Sequence, residues 1–375
     1  MNIVKNLLAV LFGLTVAALL FVAVDLYIGY RETRDIHYKN VEGLETSPPP
    51  ESLVKNPDPN VPEDFIVPYN GAFSRFWGPD IEERSDFQLW NKFDEKLGSI
   101  NGANLTVRHQ MRKGKKYVYN VTYKTDQFGR RITPVSRLKE RDKFLIFFGC
   151  SFVWGSCLNE DQTVPFYVGE MASQYVPYNY ARGAAGTNYL LALLQNRDLS
   201  KEVHEKSGIG LYVFINDHVG RSIGDVINTA SMDFMPYYEK IDGQLVRNGS
   251  FNSGRPLTTS IYKRLYRSNF FRTLHADWPP LTDSNFQFMC DLMAASRDEF
   301  LKQFPGSRFV VLFHPMFSSY AAQIEPCLLK SDVEFIDLSS RWIDQDAYRV
   351  PYDGHPNAIA NRLLAEIIVE KLKLK

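Results

Sequence analysis

The feature that most constrains the fold is a set of short, continuous apolar runs that each stop at a polar or small residue. Three of them are Phe144–Phe148, which stops at a glycine, Leu211–Ile215, which stops at Asn216, and Phe309–Phe313, which stops at His314. Strands that are buried on both faces have this pattern, and such strands belong to parallel sheets. The runs therefore predict a parallel sheet that lies between two layers of helices.

Helical stretches separate these runs and complete an alternation of strands and helices. The stretches with helical character are 163–174, 189–204, 285–303 and 357–374. A shorter strand is predicted at Val333–Asp337. Strand–helix alternation is typical of doubly wound α/β sheets. We therefore expect residues 141–375 to form a three-layer α/β domain around a doubly wound parallel sheet.

Residues 229–283 interrupt this alternation. The segment Tyr238–Val246 predicts a hairpin, because the Asp242-Gly243 pair favours the turn of a two-residue hairpin loop. Residues 260–275 then have the pattern of a helix. We expect the whole insertion to form a cap near the functional site.

The first thirty residues contain an apolar run, Leu7–Val24, that has no charged side chain. Its length is close to the roughly 20 apolar residues that span a bilayer core. A cleaved signal peptide has a shorter apolar core and a small-residue cleavage site. An uncleaved anchor over residues 1–30 is therefore the favoured interpretation, with a cleaved signal and a buried core helix left open. Lys5 argues for a cytoplasmic amino terminus, whereas Arg31 and Arg34 argue for the opposite orientation.

Two segments separate this predicted anchor from the α/β domain. Residues 31–70 are dense in proline, which prevents helix and favours extended structure, so we expect a stalk or linker there. An ordered loop lying on the domain is the alternative. Residues 71–140 have short, strand-like patterns, and the alternation over Tyr117–Lys124 predicts a strand. We expect this segment to be a small β-rich extension.

Composition excludes several classes of function. The 375 residues hold 43 basic and 43 acidic side chains, so bulk charge gives no reason to expect nucleic-acid binding. The histidines lack metal-ligand spacing, and the glycines of 183–186 do not match a dinucleotide motif, so no metal or cofactor is expected. Four cysteines exclude a disulfide-dense scaffold. Their pairing is left open, with Cys290–Cys327 as a candidate bridge and Cys157 as a candidate unbridged thiol.

The residues with catalytic potential follow the predicted strands, and ligands in open α/β sheets bind beyond the carboxyl ends of strands. Ser151 comes directly after the first run and a glycine turn, which would hold a nucleophile exposed and in a fixed rotamer. The predicted strand Val176–Tyr180 leads to Gly183 and Ala184, small residues that let a backbone N–H approach a substrate oxygen. Asn216 follows a third strand, and its side-chain amide is a candidate oxyanion donor.

A fourth group of polar residues lies just before the last helix. His355 is a candidate general base and Asp353 a candidate for orienting it. The chain order is Ser, Asp, His, which excludes the chymotrypsin and subtilisin arrangements. An α/β-hydrolase shares this order but needs a glycine where Val153 stands, and its Asp lies far from its His.

Four short blocks together resemble those of the SGNH (GDSL-like) hydrolases. They are Gly149–Gly155, Asn179–Asn188, Phe214–Asp217 and Asp353–Asn357. The segment Asp126–Arg130 is similar to the lead-in found ahead of the serine block in many exported members. The resemblance covers about residues 117–228 and 305–375.

This resemblance implies a serine esterase, or an O-acyl hydrolase or transferase, that works through an acyl-serine on an acylated glycan, lipid or small ester. It implies Ser151 as nucleophile, His355 as base and Asp353 as the partner of that base. It implies an oxyanion hole from the backbone N–H of Ser151, a backbone N–H at Gly183 or Ala184, and Asn216. Family habit also favours a body outside the cytoplasmic membrane, periplasmic or extracellular, held by a single N-terminal span.

The chain departs from the family pattern at three points. Cys150 stands where an Asp is usual, Ala184 stands where a Gly is usual, and the spacing from Asp353 to His355 is shorter than in many members. Cys150 and Ala184 are the best support for an alternative, a catalytically inactive SGNH-like module that binds a glycan or a protein at the membrane surface. Cys150 as a rival nucleophile and His218 as a rival base or substrate contact also stay open.

Overall fold

The computed structural model of the chain describes residues 13, 15–17, 19–28, 81–85, 91–273, 278–340 and 346–374. The predicted stalk at 31–70 and the first twelve residues of the predicted anchor lie outside these ranges. The described residues between 13 and 28 are helical. Within the described ranges, no helix combines the length and the apolar character needed to cross a membrane.

The first strands of the described chain come before the α/β domain. They are β1 Ile81–Ser85, β2 Asn91–Asp94, β3 Gly98–Asn101, β4 Thr106–Lys113 and β5 Lys116–Lys124. Strand β4 pairs antiparallel with both β1 and β5, and β2 pairs antiparallel with β3. The strand predicted over Tyr117–Lys124 is confirmed as β5.

A parallel sheet forms the centre of the molecule. The remaining strands in chain order are β6 Lys143–Phe148, β7 Tyr175–Asn179, β8 Gly208–Phe214, β9 Pro236–Ile241, β10 Gln244–Ser250, β11 Arg308–Phe313 and β12 Glu334–Asp337. All of these except β9 and β10 belong to one sheet of order β12-β11-β8-β6-β7, in which every pair is parallel. The apolar runs lie in these strands, so the predicted parallel sheet is confirmed.

Both faces of this sheet are buried, as strand β6 illustrates. Phe144, Ile146 and Phe148 belong to one hydrophobic cluster, whereas Leu145 and Phe147 belong to a second cluster. Successive side chains of a strand point to opposite faces. The two clusters therefore lie on opposite sides of the sheet, and the predicted three-layer arrangement is confirmed.

Helices cover both faces. In chain order they are α1 Ser151–Trp154, α2 Val164–Met171, α3 Thr187–Asn196, α4 Asp217–Ile223, α5 Val226–Met232, α6 Phe251–Gly254, α7 Pro256–Arg267, α8 Asn269–Thr273, α9 Asp283–Gln303, α10 Ala321–Lys330 and α11 Ala358–Leu372. Helices α3, α9 and α10 contribute to the first cluster, and α1, α2 and α11 contribute to the second.

Two predicted helices are shorter than the sequence pattern suggests. The helix predicted at 189–204 is α3, which ends at Asn196 because Arg197 takes an extended conformation. The helix predicted at 260–275 is interrupted at Ser268, which is also extended. The Ser268 hydroxyl accepts the N–H of Phe271 and so begins α8. Apolar periodicity continues across both breaks, and only backbone geometry marks them.

The insertion at 229–283 contains the predicted hairpin, β9 and β10, with its turn at Asp242-Gly243. The carbonyl of Pro236 accepts a hydrogen bond from the Asn188 side chain of α3 at 2.7 Å. The hydroxyl of Tyr238 donates to Gln195 of the same helix at 2.7 Å. These bonds attach the hairpin to α3, and its role as a cap over the site stays a prediction.

The cysteines divide into two kinds. Cys290 of α9 and Cys327 of α10 form a disulfide, so the candidate bridge is present. Cys150 and Cys157 are buried thiols outside that bridge.

Candidate active site

Ser151 lies in a tight turn at the carboxyl end of β6. The preceding Gly149 has φ +153°, and a Cβ there would lie 2.8 Å from the Val153 side chain and 3.2 Å from the Val213 carbonyl oxygen. A side chain at this position would therefore displace its neighbours. Ser151 is the first residue of α1, and the first N–H groups of a helix have no acceptor within it. We call residues 149–158 the nucleophile turn.

A buried arginine holds the carbonyl groups of the nucleophile turn. One terminal nitrogen of the Arg131 guanidinium donates to the carbonyls of Trp154 and Gly155, each at 2.6 Å. The other terminal nitrogen donates to the carbonyl of Leu158. Burial lowers the pKa of Arg131, although nearby Tyr123 and acidic groups act in the opposite direction. Arg131 therefore adds a donor to three carbonyls at the end of the turn, of which that of Gly155 also accepts the N–H of Leu158 at 3.2 Å and that of Trp154 the Asn179 side chain at 3.5 Å.

Residues 349–357, which we call the acid–base loop, present the candidate base. The N–H of Val350 donates to the carbonyl of His355 at 2.7 Å, and the N–H of Gly354 donates back to the carbonyl of Val350 at 3.0 Å. Gly354 has φ +86°, which suits a glycine. The Asn357 side chain accepts two N–H groups from the first turn of α11, both at 3.0 Å. The loop is thus fixed against the helix that follows it.

The nucleophile turn and the acid–base loop bring Ser151, His355 and Asp353 together in one hydrogen-bonded line. Nε2 of His355 lies 2.7 Å from Oγ of Ser151. Nδ1 of His355 contacts Oδ1 of Asp353, and the backbone N–H of His355 donates to the same oxygen at 3.2 Å. In this arrangement the Nδ1–H donates to the carboxylate, which leaves Nε2 as the acceptor for the serine proton.

The electrostatics of Asp353 suit this arrangement. Burial acts to raise the pKa of Asp353, but the charge of His355 and hydrogen bonds from His355 and Cys157 lower it to about 2. The carboxylate is therefore ionised at neutral pH. An ionised partner fixes the tautomer of the imidazole and stabilises the imidazolium that proton transfer produces.

The loop after β7 is attached to the nucleophile turn. The Asn179 side chain donates to the carbonyl of Val153 at 3.1 Å, and the N–H of Arg182 donates to the carbonyl of Gly149 at 3.1 Å. These bonds hold the following residues, Gly183 and Ala184, beside the turn that carries the serine. Their role as oxyanion donors stays a prediction.

The steric need for glycine in this loop differs from the sequence expectation. Ala184 has φ +60°, a left-handed conformation that glycine adopts at lower cost. A Cβ added at Gly183 would meet no atom within 4 Å, whereas one at Gly186 would lie 2.6 Å from the Asn188 side-chain oxygen. The position in this loop that has no room for a side chain is therefore Gly186.

Asn216 lies at the carboxyl end of β8, as predicted, but its side chain bonds to the loop after β11. Its amide nitrogen donates to the hydroxyl of Ser319 at 2.8 Å, and its amide oxygen accepts the N–H of Tyr320 at 3.1 Å. An amide nitrogen carries two hydrogens, and Ser319 takes one of them. The predicted oxyanion role needs the second hydrogen and stays a prediction.

The two rival residues are both placed in the interior. His218 is fully buried, and its Nδ1 lies 2.7 Å from the hydroxyl of Tyr212 in the core. Burial lowers the pKa of His218 well below the usual value, so the ring is neutral. Cys150 is also buried. Ser151 and His355 are hydrogen-bonded to each other, so the geometry favours Ser151 over Cys150 as nucleophile and His355 over His218 as base.

Aromatic side chains beside the histidine form a wall that the sequence interpretation missed. The ring of Phe152 lies 5.4 Å from that of His355, 5.3 Å from that of His314 and 5.1 Å from that of Phe317, measured between ring centres. Burial lowers the pKa of His314 to about 3, so this ring is uncharged. The sequence did hold a signal for this wall, because His314 and Phe317 come just after the run Phe309–Phe313. Residues that follow parallel strands lie at the same edge of the sheet as Ser151.

A buried thiol also approaches the site. The described part of the chain brings together the Sγ of Cys157, a carboxylate oxygen of Asp353 and a ring nitrogen of His355, all within 4.8 Å of one another. Such a set can ligate a metal in principle. Both ring nitrogens of His355 are engaged in hydrogen bonds, to Asp353 and Ser151, so the geometry fits a proton-transfer line better than a coordination shell.

Comparisons with known proteins give structural likeness only. No family model and no curated protein matches the chain. A member of the lipolytic protein G-D-S-L family from Veillonella parvula is similar at 9% identity and a TM-score of 0.35, with 62% of this chain and 98% of that chain covered. An acetyl xylan esterase, Est2A, from Butyrivibrio proteoclasticus is similar at 9% identity and a TM-score of 0.37, with 73% and 72% covered.

A carbohydrate esterase family 2 enzyme from Corynascus thermopiles, solved with its carbohydrate-binding domain, is similar at 12% identity and a TM-score of 0.36. That match covers 71% of this chain and 77% of the other. At such values the function of the chain has to be inferred from its own geometry.

Proposed function

We propose that this chain is an SGNH-type serine hydrolase that cleaves or transfers acyl groups through an acyl-serine. The observation that carries the proposal is the 2.7 Å contact between Nε2 of His355 and Oγ of Ser151, with Asp353 bonded to the opposite nitrogen of the ring. A catalytically inactive binding module has no need for this alignment, in which three polar side chains from two distant segments share one line.

The first half of the reaction forms the acyl-enzyme. Oγ of Ser151 attacks the carbonyl carbon of the ester while its proton passes to Nε2 of His355. The carbonyl oxygen becomes an oxyanion beside the N–H of Ser151 and the loop of Gly183 and Ala184. When the bond to the alcohol breaks, the alcohol oxygen takes the proton from Nε2. The acyl group remains on Ser151.

The second half releases the acyl group. A water molecule, or the hydroxyl of an acceptor in a transfer reaction, attacks the acyl carbon while Nε2 of His355 takes its proton. The bond to Oγ then breaks, and Oγ recovers that proton. Asp353 stays ionised throughout and stabilises the imidazolium in each half.

The proposed substrate is an ester of a glycan, a lipid or a small alcohol, and the surroundings of the serine support an acyl group with apolar character. Phe152 follows Ser151 directly, and its ring contacts that of Phe317. A series of p-nitrophenyl esters with acyl chains from two to eight carbons tests this point. We expect a Phe152→Ala variant to lose more activity on the longer chains than on the acetyl ester.

We also propose that the body is held at a membrane, outside the cytoplasm, by the N-terminal segment. The described helical residues 19–28 present exposed apolar side chains, including Leu19 and Leu26. The carboxylate of Asp25 accepts hydrogen bonds from the Ser268 hydroxyl at 2.6 Å and the Phe270 N–H at 2.7 Å, which would attach this segment to the insertion. The disulfide also suits an oxidising compartment.

Protease added to intact spheroplasts of a bacterial host that expresses the full chain tests this location. Digestion of the body without lysis is the expected result. Digestion only after lysis would contradict the proposed orientation.

A fluorophosphonate probe tests the catalytic proposal. The full chain in detergent is treated with the probe, and the adduct is mapped by mass spectrometry beside Ser151→Ala and His355→Ala variants. We expect an adduct on Ser151 in the wild type, none in Ser151→Ala and at least a 10³-fold slower reaction in His355→Ala. A folded wild type that never reacts would overturn the esterase proposal in favour of a binding module.

A further inference from the structure

Cys157 lies at the end of the nucleophile turn in an unusual backbone conformation. Its φ is +67°, and a left-handed conformation costs a non-glycine residue roughly 1–2 kcal/mol. The side chain is buried and is not part of the disulfide. Backbone strain of this kind persists only where the surrounding structure holds it, and it often occurs at functional sites.

The thiol reaches the carboxylate that orients His355. The Sγ of Cys157 lies within 4.8 Å of a carboxylate oxygen of Asp353, and its hydrogen bond to that carboxylate helps to lower the pKa of Asp353. Both hydrogen bonds from His355 go to Oδ1 of Asp353. A carboxylate accepts up to about four hydrogen bonds, so the thiol is an additional donor that does not compete with the histidine.

The backbone of Cys157 is in turn held by the N-terminal strands. Its N–H donates to the hydroxyl of Tyr123 on β5 at 2.7 Å. The same hydroxyl lies 2.9 Å from Nδ1 of His109 on β4. Nε2 of His109 lies 3.1 Å from the hydroxyl of Tyr119 on β5. All of these side chains are buried.

These contacts are consistent with hydrogen bonds that all donate in the same direction, from Cys157 towards Tyr119. The Tyr123 oxygen accepts from Cys157, so its own proton is available to Nδ1 of His109, and the Nε2–H of that ring can donate to Tyr119. The contacts therefore connect the catalytic carboxylate to two strands that precede the α/β domain.

We propose that Cys157 is a positioning residue of the triad, whose thiol holds the Asp353 carboxylate while Tyr123 holds the Cys157 backbone. The inference rests on the proposed function and extends it, because it makes β4 and β5 part of the support of the active site. A small buried thiol that only fills space would touch the carboxylate without affecting the reaction of Ser151.

Cys157→Ala and Cys157→Ser separate these two roles, with Val168→Ala as a matched control. Val168 of α2 is buried in the same hydrophobic cluster, so its truncation also leaves a small cavity but removes no donor to Asp353. The readout is the rate at which the fluorophosphonate modifies Ser151 in the full chain in detergent, measured from pH 5 to pH 9. This rate needs no knowledge of the natural substrate.

The groups that face Asp353 are His355 on its own loop, Cys157, His109 on β4 and Tyr123 on β5. When the thiol is removed, the carboxylate interacts more strongly with a proton on His355 and its orientation is less constrained. We expect Cys157→Ala to react about 10-fold more slowly, with the acid limb of the pH profile moved to higher pH. We expect Cys157→Ser, which keeps a donor, to stay within about 3-fold of the wild type, and Val168→Ala to keep the wild-type acid limb.

A reactive wild type combined with a folded Cys157→Ala variant that has the wild-type rate and acid limb would overturn this inference alone. A Ser variant as impaired as the Ala variant would also contradict it, since a retained donor would then have no effect. A wild type that is not modified at Ser151 is a different result, and it would overturn the proposed function from which the inference starts.

Discussion

The nucleophile turn and the acid–base loop reach the same point in space by different means. The turn is built on a core strand and is mostly buried, and the carbonyls at the end of α1 accept hydrogen bonds from the guanidinium of Arg131. The loop is only half-buried and is held by short backbone bonds, such as the 2.7 Å bond from Val350 to His355. Its exposed Tyr352 accepts a hydrogen bond from Lys113 of β4 at 2.6 Å.

This difference indicates a division of labour between the two segments. The position of Ser151 depends on tertiary packing, so changes beneath the turn should affect stability and activity together. The position of His355 depends on a local loop and on the charge of Asp353, so changes there should affect activity much more strongly than stability. Each of the following predictions tests one side of this comparison.

The largest effect is expected from Asp353→Asn, which changes the acid–base loop alone. An amide can donate to Nδ1, which would place the ring proton on Nε2 and remove the acceptor for the Ser151 proton. We expect fluorophosphonate labelling to slow by about 10⁴-fold, as for the corresponding change in a Ser-His-Asp triad. The thermal midpoint at neutral pH should change by only a few degrees. A rate within 10-fold of the wild type would show that Asp353 does not orient the histidine.

Arg131→Met should affect the other side of the comparison. It leaves the carbonyl of Leu158 without a donor, and an unsatisfied buried group costs about 1–3 kcal/mol. The carbonyls of Trp154 and Gly155 lose one donor each but keep another. We expect the free energy of unfolding, measured by urea denaturation of the full chain in detergent, to fall by about 2–4 kcal/mol. Labelling of Ser151 should fall with it.

Arg308→Met is the control for this variant, because Arg308 pairs with Glu334 at the surface. An exposed ion pair contributes about 0–1 kcal/mol. Equal losses in the two variants would mean that the bonds from Arg131 to the turn are no stronger than a surface contact.

The acid side of the stability profile tests the charge of Asp353. Its pKa is about 2 in the folded chain against an ordinary value of 3.8, so the carboxylate stabilises the fold above about pH 4. This contribution, about 2 kcal/mol, is lost as the pH falls from about 4 to 2. We expect the stability advantage of the wild type over Asp353→Asn to shrink by about that amount between pH 5 and pH 2, as measured by urea denaturation. A constant difference would contradict the lowered pKa.

The same comparison explains what the sequence could predict. Strands buried on both faces leave continuous apolar runs, so the central sheet was predictable from segments such as Phe144–Phe148. Ser151 was predictable as a candidate nucleophile because it comes directly after such a strand and a glycine turn, and Asp353 and His355 were predictable as its partners because they stand just before the last helix in the chain order Ser, Asp, His. Both predictions used only residues that are close together in the sequence and the order of the motifs along the chain.

The parts that escaped prediction depend on contacts between distant segments. Nothing in the residues around Arg131 indicates that its guanidinium binds carbonyls at the end of α1, and nothing around Cys157 indicates that its thiol meets Asp353. The amide of Asn216 was predicted at the correct strand end, but its bonds to Ser319 and Tyr320 depend on a loop that is about a hundred positions away. Such contacts are set by the fold and leave no periodic pattern.

The smallest effect is expected in the loop after β7, where Ala184 occupies a left-handed conformation with φ +60°. Replacement by glycine removes the steric cost of roughly 1–2 kcal/mol but adds roughly 0.5–1 kcal/mol of backbone entropy in the unfolded chain. We therefore expect Ala184→Gly to raise the free energy of unfolding by about 0.5–1 kcal/mol, as measured by urea denaturation, and to leave the labelling rate within about 3-fold of the wild type. Ser99 lies in strand β3 and not in a left-handed conformation, so Ser99→Ala relieves no backbone strain. This variant is the control, and its unfolding is measured in the same detergent. A glycine variant less stable than the wild type would mean that the loop holds Ala184 through contacts of its methyl group, and the backbone conformation would then be a consequence of packing.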